Sequence, residues 1–156
     1  MNNLCVCGID PGTAQTALAT WDGKSVLDKR IIPNQEVIDY LTNLTCSAVA
    51  CEHLQCYGMS VGKEVFETGY WLGRYWQTCE IMGLEWQRVY RSDIKSYWCH
   101  SPKANDASVR TAVIDRLGAP GTKKAPGVTY GITKDLWSAL AIAVRAHDLK
   151  TGLKVG

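Results

Sequence analysis

The first third of the chain alternates apolar and polar residues in a way that predicts three strands. An apolar run over residues 4–9 predicts a buried strand, and alternation over residues 14–21 predicts a second one. The Asp-Gly pair at 22–23 is a favoured hairpin turn, and a third strand over residues 25–32 ends at the Pro-Asn pair 33–34. Strands joined by tight turns pair antiparallel, so the sequence predicts a three-stranded meander.

Helical and strand patterns alternate along the rest of the chain. The predicted elements are a helix over residues 35–44, a strand over 46–52, a helix over 61–82, a strand over 84–90, a helix over 105–117 and a last helix that begins near Thr133. Residues 91–102 predict a loop or short helical turn, and residues 118–133 predict a functional or mobile loop. Strands joined through helices pair in parallel. We therefore predict an α/β fold with a mixed five-stranded sheet, helices on both faces and a single domain over residues 1–156.

The composition is typical of a globular domain without a membrane anchor. Hydrophobic residues make up 46% of the 156 residues, which is enough for a sizeable core. The start of the chain lacks the basic and apolar regions of a signal peptide, and no run reaches the ~18 apolar residues of a membrane span. We therefore expect a cytoplasmic location and no membrane partner.

The seven cysteines are spaced as buried thiols rather than as a disulfide framework or a zinc ribbon. Cys5 lies in one predicted strand and Cys46 beside another, and the sequence contains no Cys-x-x-Cys pair. This pattern predicts free thiols in a reducing compartment. The nearest candidate metal cluster is Cys51, His53 and Cys56, although we expect Cys51 to point into the core.

Charge is distributed unevenly along the chain. The net charge of +2 identifies no partner, but seven basic and only three acidic residues lie between Arg91 and Lys124. This local excess predicts either a surface that faces a polyanion or an ordinary solvated helix and loop.

Three acidic residues lie where a sheet edge can bring them together. Asp10 ends the first predicted strand just before a Pro-Gly turn, and Glu52 ends the fourth. Asp135 lies in the first turn of the last predicted helix. If the first and fourth strands are parallel neighbours, all three carboxylates meet at one edge, where cations must neutralise them. Two magnesium ions ~3.5–4 Å apart suit such a cluster and support phosphodiester hydrolysis.

Each of these acids also has an ordinary interpretation when it is taken alone. Asp10 fits a turn, Glu52 fits a solvated strand end, and Asp135 fits an acid that interacts with a helix dipole. The joint arrangement favours the functional interpretation.

The chain resembles the RuvC-like Holliday junction resolvases of the ribonuclease H-like superfamily, in particular the versions carried by phages and prophages. The matching segments are Gly8-Ile9-Asp10-Pro11-Gly12, Ala50-Cys51-Glu52, residues 134–143, residues 61–66 and residues 123–127. The resemblance spans nearly the whole chain and implies a ribonuclease H-like fold. It also implies a cytoplasmic location in a bacterial host cell if a phage encodes the protein.

The resemblance implies a homodimer in which each subunit nicks one strand of a four-way DNA junction with Mg²⁺ or Mn²⁺. It makes Asp10, Glu52 and Asp135 the catalytic residues and the ligands of two ions in each active site. The family usually carries another aspartate three residues further along the last helix, where this chain has Ser138. Asp106 is a candidate substitute, although we expect it to cap its own helix.

Basic and aromatic residues supply candidates for contacts with branched DNA and with a second subunit. The first candidates for phosphate contacts are Lys103, Lys123 and Lys124, and the second candidates are Arg91, Lys95 and Arg110. Tyr57, Tyr97 and Trp98 are candidates either for insertion beside an unstacked base or for packing, and we favour packing. In the long central helix, Trp71 and Tyr75 are the candidates for a dimer interface, whereas Phe66 and Leu72 are expected to face the core.

The leading hypothesis is a metal-dependent, structure-selective DNA endonuclease that acts on four-way junctions, forks and flaps. One alternative is a non-catalytic protein that binds branched DNA, with Ser138 as the sign of lost activity. A weaker alternative is an actin- or sugar-kinase-like phosphotransferase, because that fold also begins with an Asp-x-Gly-Thr turn like that of residues 10–13. Such kinases need two duplicated halves, which this sequence lacks.

Overall fold

A five-stranded sheet forms the centre of the protein, in a computed structural model that describes residues 4–153. The strands are β1 (Val6–Asp10), β2 (Gln15–Trp21), β3 (Val26–Pro33), β4 (Ala48–Glu52) and β5 (Glu85–Val89). Their order in the sheet is β3-β2-β1-β4-β5, with β1, β2 and β3 antiparallel and with β4 parallel to both β1 and β5. The predicted ribonuclease H-like mixed sheet is confirmed.

Helices cover both faces of this sheet. They are α1 (Asn34–Thr42), α2 (Lys63–Met82), α3 (Arg91–Cys99), α4 (Asp106–Leu117) and α5 (Leu136–Thr151). Alternate residues of each strand face opposite sides, so the sheet has two cores. One core joins the sheet to α1 and α2, and the other joins it to α3, α4 and α5. Within residues 4–153, none of the helices combines the length and apolar character that a bilayer-spanning helix needs.

Gly8 allows α5 to lie against β1 at backbone distance. A Cβ atom at position 8 would lie 2.1 Å from the carbonyl oxygen of Ala139 and 2.7 Å from the backbone nitrogen of Ala143. Small residues on both elements therefore permit a contact that larger side chains would prevent. This contact holds the start of α5 beside the carboxyl end of β1, where Asp10 lies.

Two predictions about side-chain direction on α2 are wrong. Tyr75, predicted for a dimer interface, is fully buried and its hydroxyl lies 3.0 Å from that of Thr16. Phe66, predicted for the core, is 63% exposed. Leu72 is buried as predicted, and Trp71 is only partly buried. The helix is aromatic on more than one face, so its pattern alone did not show which face packs on the sheet.

The segment over residues 91–102, predicted as a loop or short helical turn, contains the nine-residue helix α3. Ile94 and Trp98, four residues apart, are its buried residues. The Asp93 carboxylate accepts a hydrogen bond from the backbone N–H of Tyr90 at 3.1 Å, which satisfies one donor at the start of the helix. Another difference is that α5 begins at Leu136, so Asp135 is its N-cap residue rather than part of its first turn.

The prediction that all cysteines are free thiols is wrong for one pair. Cys5 and Cys46 form a disulfide, with Cα atoms 4.8 Å apart. They lie just before β1 and β4, whose parallel pairing brings them together. Spacing along the sequence does not show this long-range pairing. The free thiols of Cys7 and Cys51 are buried as predicted.

We predict that Gly8→Ala destabilises the protein by about 3 kcal/mol, because the new methyl group must push α5 away from β1. Gly73→Ala is the matched control, since Gly73 lies within α2 and a Cβ there meets no atom within 4 Å. The control variant should instead be more stable than the wild type by about 0.5–1 kcal/mol, because alanine is a better helix former than glycine. Denaturant unfolding measures both effects. Equal midpoints for Gly8→Ala and the wild type would contradict the close contact.

Candidate active site

Asp10 and Glu52 meet at the carboxyl ends of two neighbouring parallel strands. Ile9 of β1 pairs with Cys51 of β4, so the next residue of each strand leaves the sheet at the same edge. The two side chains are half-buried, and the negative charge of Glu52 raises the pKa of Asp10. Two carboxyl groups this close together cannot both carry full charge without a compensating partner.

The start of α5 brings two more oxygen-bearing side chains to this edge. Asp135 and Ser138 line the same cavity as Asp10 and Glu52, where the charge of Asp135 raises the pKa of Asp10 and the side chain of Ser138 lowers it. The prediction that these acids converge on one edge of the sheet therefore agrees with the geometry. Ser138, one turn after Asp135, contributes a neutral hydroxyl where the resemblance implies a carboxylate.

Burial and neighbouring acids shift the titration of the two strand-end carboxyls. The pKa of Asp10 is raised to about 7. Burial is the largest cause, and the negative charges of Glu52 and Asp135 add to it. Ser138 and Arg91 have the opposite effect. Burial also raises the pKa of Glu52, which Arg91 opposes and Asp106 reinforces. Near neutral pH the pair therefore retains a proton that two isolated carboxyls would lose.

These groups line a cavity of about 290 Å³ that contains balanced charges. Its acidic residues are Asp10, Glu52, Asp106 and Asp135, and its basic residues are Arg91, Lys95, Arg110 and Lys134. Such a mixture suits a ligand that carries both cationic and anionic parts, such as a metal-bound phosphate.

Arg91 is the direct counter-ion of two of these acids. Its Nε lies 3.4 Å from a Glu52 oxygen, and one of its terminal nitrogens lies 3.7 Å from a carboxylate oxygen of Asp106. The guanidinium therefore lies between residues from two walls of the cavity. It supplies positive charge at a place where acidic side chains need it.

The donor set fits a hard divalent cation. Asp10, Glu52 and Asp135 offer carboxylate oxygens, which Mg²⁺ and Mn²⁺ prefer, and no sulfur or imidazole ligand lines the cavity within residues 4–153. In that same part of the chain, no group of three His, Cys, Asp or Glu side chains has the geometry of a metal site. Glu52 faces Arg91 in this arrangement, so its carboxylate must turn before it can share a cation with both other acids.

The basic candidates divide into two groups. The second choices Arg91, Lys95 and Arg110 line the cavity. The first choices Lys103, Lys123 and Lys124 are exposed on loops and are not among the residues that line it. A Gly121–Pro126 bridge closes the loop that carries the last two.

The cavity contains Asp106, whose role was misjudged from the sequence, and Lys134, which was missed. Asp106 was expected to cap α4, but Asn105 does so: its side chain accepts a hydrogen bond from the backbone N–H of Ser108 at 2.8 Å. Asp106 instead lines the cavity. Lys134 also lines it, with a positive φ of 49°, and its place directly before Asp135 was the one available signal.

The other candidate sites have structural explanations. The Nε2 atom of His53 accepts a hydrogen bond from the Trp86 indole at 3.0 Å, and Cys51 is fully buried, so these residues do not act together on a metal. The Tyr97 hydroxyl donates to Asp148, and the Trp98 indole donates to the Ala141 carbonyl at 3.1 Å. Both aromatic residues pack, as favoured, whereas the packing predicted for Tyr57 is wrong, because its side chain is 63% exposed.

Comparison with known proteins identifies the fold. No family model and no curated protein match the chain. Solved structures that resemble it include Thermus thermophilus RuvC, with a TM-score of 0.72 and 22% identity over 96% of this chain and 97% of that one. Another is T. thermophilus RuvC in complex with Holliday junction substrate, with a TM-score of 0.71 and 21% identity over 96% of each chain.

The chain has a RuvC-like fold. The match covers nearly the full length of both chains. At this level of identity the likeness concerns the fold, and it carries no information on a phage or prophage origin, which stays a prediction from the sequence.

We predict that Asp10→Asn stabilises the metal-free protein near and above neutral pH. The pKa of Asp10 is raised from 3.8 to about 7, so the folded state binds the proton more tightly than the unfolded state. Stability should therefore fall as pH rises from about 4 to about 7, and the Asn variant should lose part of this fall, worth about 2 kcal/mol.

Denaturant unfolding in a chelator at pH 5 and pH 8 measures this difference. The exposed Asp115 on α4, outside the cavity, provides the control variant Asp115→Asn. If the stability of the Asp10 variant depends on pH as that of the control and the wild type does, ionisation of Asp10 does not destabilise the folded protein and the prediction is wrong.

Proposed function

We propose that this protein is a divalent-cation-dependent endonuclease that nicks four-way and other branched DNA junctions by phosphodiester hydrolysis. The observation that carries the proposal is that Asp10 and Glu52 end neighbouring parallel strands and line, together with Asp135, one cavity rimmed by basic residues. The RuvC-like fold supports it, because one solved structure with this fold is bound to a Holliday junction substrate.

In this proposal, Asp10, Glu52 and Asp135 are the catalytic residues and hold two Mg²⁺ or Mn²⁺ ions. Such ions supply a nucleophile at neutral pH and neutralise charge that develops on the phosphate. The carboxyl pair at the strand ends releases its retained proton when cations bind, since positive charge favours the ionised form. The rigid strands keep both groups in place during this exchange.

The basic residues of the cavity bind and orient the phosphate. Arg110 is held by its contact with the Trp137 ring, whose centroid lies 4.9 Å from the guanidinium carbon. Arg91 can turn from Glu52 and Asp106 to a phosphate group. Two oxygens of a phosphate can accept two hydrogen bonds from one guanidinium. Lys95 adds a third positive charge from α3.

Exposed lysines on neighbouring loops extend this surface. Lys103 precedes α4, and Lys123 and Lys124 lie in the loop between α4 and α5. We propose that they bind phosphates further along the arms of a junction, where contacts carry little sequence information.

We propose a homodimer for this activity, because a four-way junction presents two symmetric strands to be cut. Exposed apolar side chains on α2 and the loop before it supply a self-complementary surface: Leu54, Tyr57, Met59, Phe66 and Tyr70. Trp71 borders this surface from α2, whereas the buried Tyr75 is excluded from it. The loop that carries Leu54, Tyr57 and Met59 begins directly after Glu52, so the chain leads from the active site into this surface.

A non-catalytic protein that binds branched DNA is the second candidate, and Ser138 is the observation that favours it. Against it stands the raised pKa of Asp10, because a protein without catalysis gains nothing from half-buried, mutually repelling carboxyls. The kinase-like alternative has weaker support, since the chain matches the length of a single RuvC subunit.

A nicking assay on synthetic four-way, three-way and linear DNA tests the proposal. We expect the wild type to nick branched DNA with Mg²⁺ or Mn²⁺ and to be inactive in a chelator. Asp10→Asn should reduce the rate at least about 100-fold and leave junction binding intact, because it removes a charge needed at the reacting phosphate.

The exposed Asp115 again provides the control, and Asp115→Asn should cut at the wild-type rate. Full cutting by the Asp10 variant would overturn the proposed chemistry. Binding of junctions without cutting, by every protein including the wild type, would instead favour the non-catalytic alternative.

A further inference from the structure

The candidate active site lacks a carboxylate on α5 but has an additional one on α4. Ser138 stands where the resemblance implies an aspartate, and Asp106 lies on another wall of the same cavity. We propose that Asp106 supplies the fourth carboxylate of this site and serves as a ligand of the more weakly held cation. This inference rests on the proposed function.

The carboxylate of Asp106 is free of the structural task that its position suggests. An acid at the start of a helix commonly caps it, but the side chain of Asn105 performs that task here. Asp106 is the first residue of α4, and its side chain is 75% exposed. Its carboxylate can therefore reorient toward a ligand in the cavity without loss of a cap.

Asp106 and Glu52 already share one positive charge. The Arg91 guanidinium lies 3.4 Å from Glu52 and 3.7 Å from Asp106, so both carboxylates face a common point. A divalent cation at this point would interact with the same pair of acids, and Arg91 would then be released.

An independent observation indicates that the cavity binds a ligand. Trp137 lines it and is only 7% exposed, yet its indole N–H has no hydrogen-bond partner among the described residues. Buried donors are almost always paired in folded proteins. An unpaired donor beside this cavity is therefore suited to an acceptor such as a phosphate oxygen or an ordered water.

Placing the fourth acid on α4 preserves the charge of the site but changes how firmly one ion is held. Asp10 is half-buried at the end of β1, whereas Asp106, like Asp135, is exposed at a helix end and in addition lies on the more distant α4. The ion that Asp106 contacts should therefore be the weaker of two. The neutral Ser138 hydroxyl is a poorer ligand than a carboxylate and does not replace it.

Titration calorimetry with Mn²⁺ tests this assignment without any measurement of cutting. We expect the wild type to bind two ions of different affinity, and Asp106→Asn to weaken the second at least about tenfold, as is usual when a metal site loses a supporting group. Asp115→Asn removes the same charge from the same helix outside the cavity and should change neither affinity by more than about twofold.

Two further variants separate the possible failures. Asp10→Asn should abolish binding of both ions, and wild-type binding by this variant would overturn the proposed function itself. If that variant fails to bind but Asp106→Asn behaves like Asp115→Asn, only the role of Asp106 is overturned. Adding Ser138→Asp to Asp106→Asn should restore the second ion, because it returns a carboxylate to the position that the resemblance implies. Absence of this restoration would contradict the exchange of roles.

Discussion

Direct contact between the backbones of β1 and α5 determines where the acidic groups lie. Gly8 leaves no room for a side chain between the strand and Ala139 or Ala143, so the helix lies as close to the sheet as its backbone permits. The strand then presents Asp10 at its end, and the helix presents Asp135 at its start. The geometry of the candidate site is thus a consequence of core packing and does not depend on a mobile loop.

The pairing of β1 with β4 adds an electrostatic strain that other residues of the site relieve. It places Asp10 and Glu52 close together and half-buried, and burial raises both pKa values. Arg91 relieves part of the repulsion from one side, and the Ser138 hydroxyl from the other. In the proposed function, cations that replaced the retained proton and the guanidinium would stabilise this site, which would link the fold to the proposed chemistry.

Sequence patterns predicted the features that depend on one strand or one helix at a time. The strand ends at Asp10 and Glu52 follow from apolar runs that stop at a turn, and parallel pairing then brings them together. The role of Asp106 depends on how α4 packs against a distant edge, which no local pattern reports. The environments predicted for Tyr75 and Phe66 were wrong for a similar reason. A helix with aromatic residues on several faces does not indicate which face the sheet covers.

The central proposal is that carboxylates from β1, β4 and the start of α5 share divalent cations at the carboxyl edge of the sheet. Anomalous diffraction from crystals soaked in Mn²⁺ tests it most directly. We expect a strong peak within about 2–2.5 Å of carboxylate oxygens of both Asp10 and Glu52, with Arg91 turned away from Glu52. Saturating Mn²⁺ that leaves the Arg91–Glu52 contact intact and gives no peak between these carboxylates would contradict it.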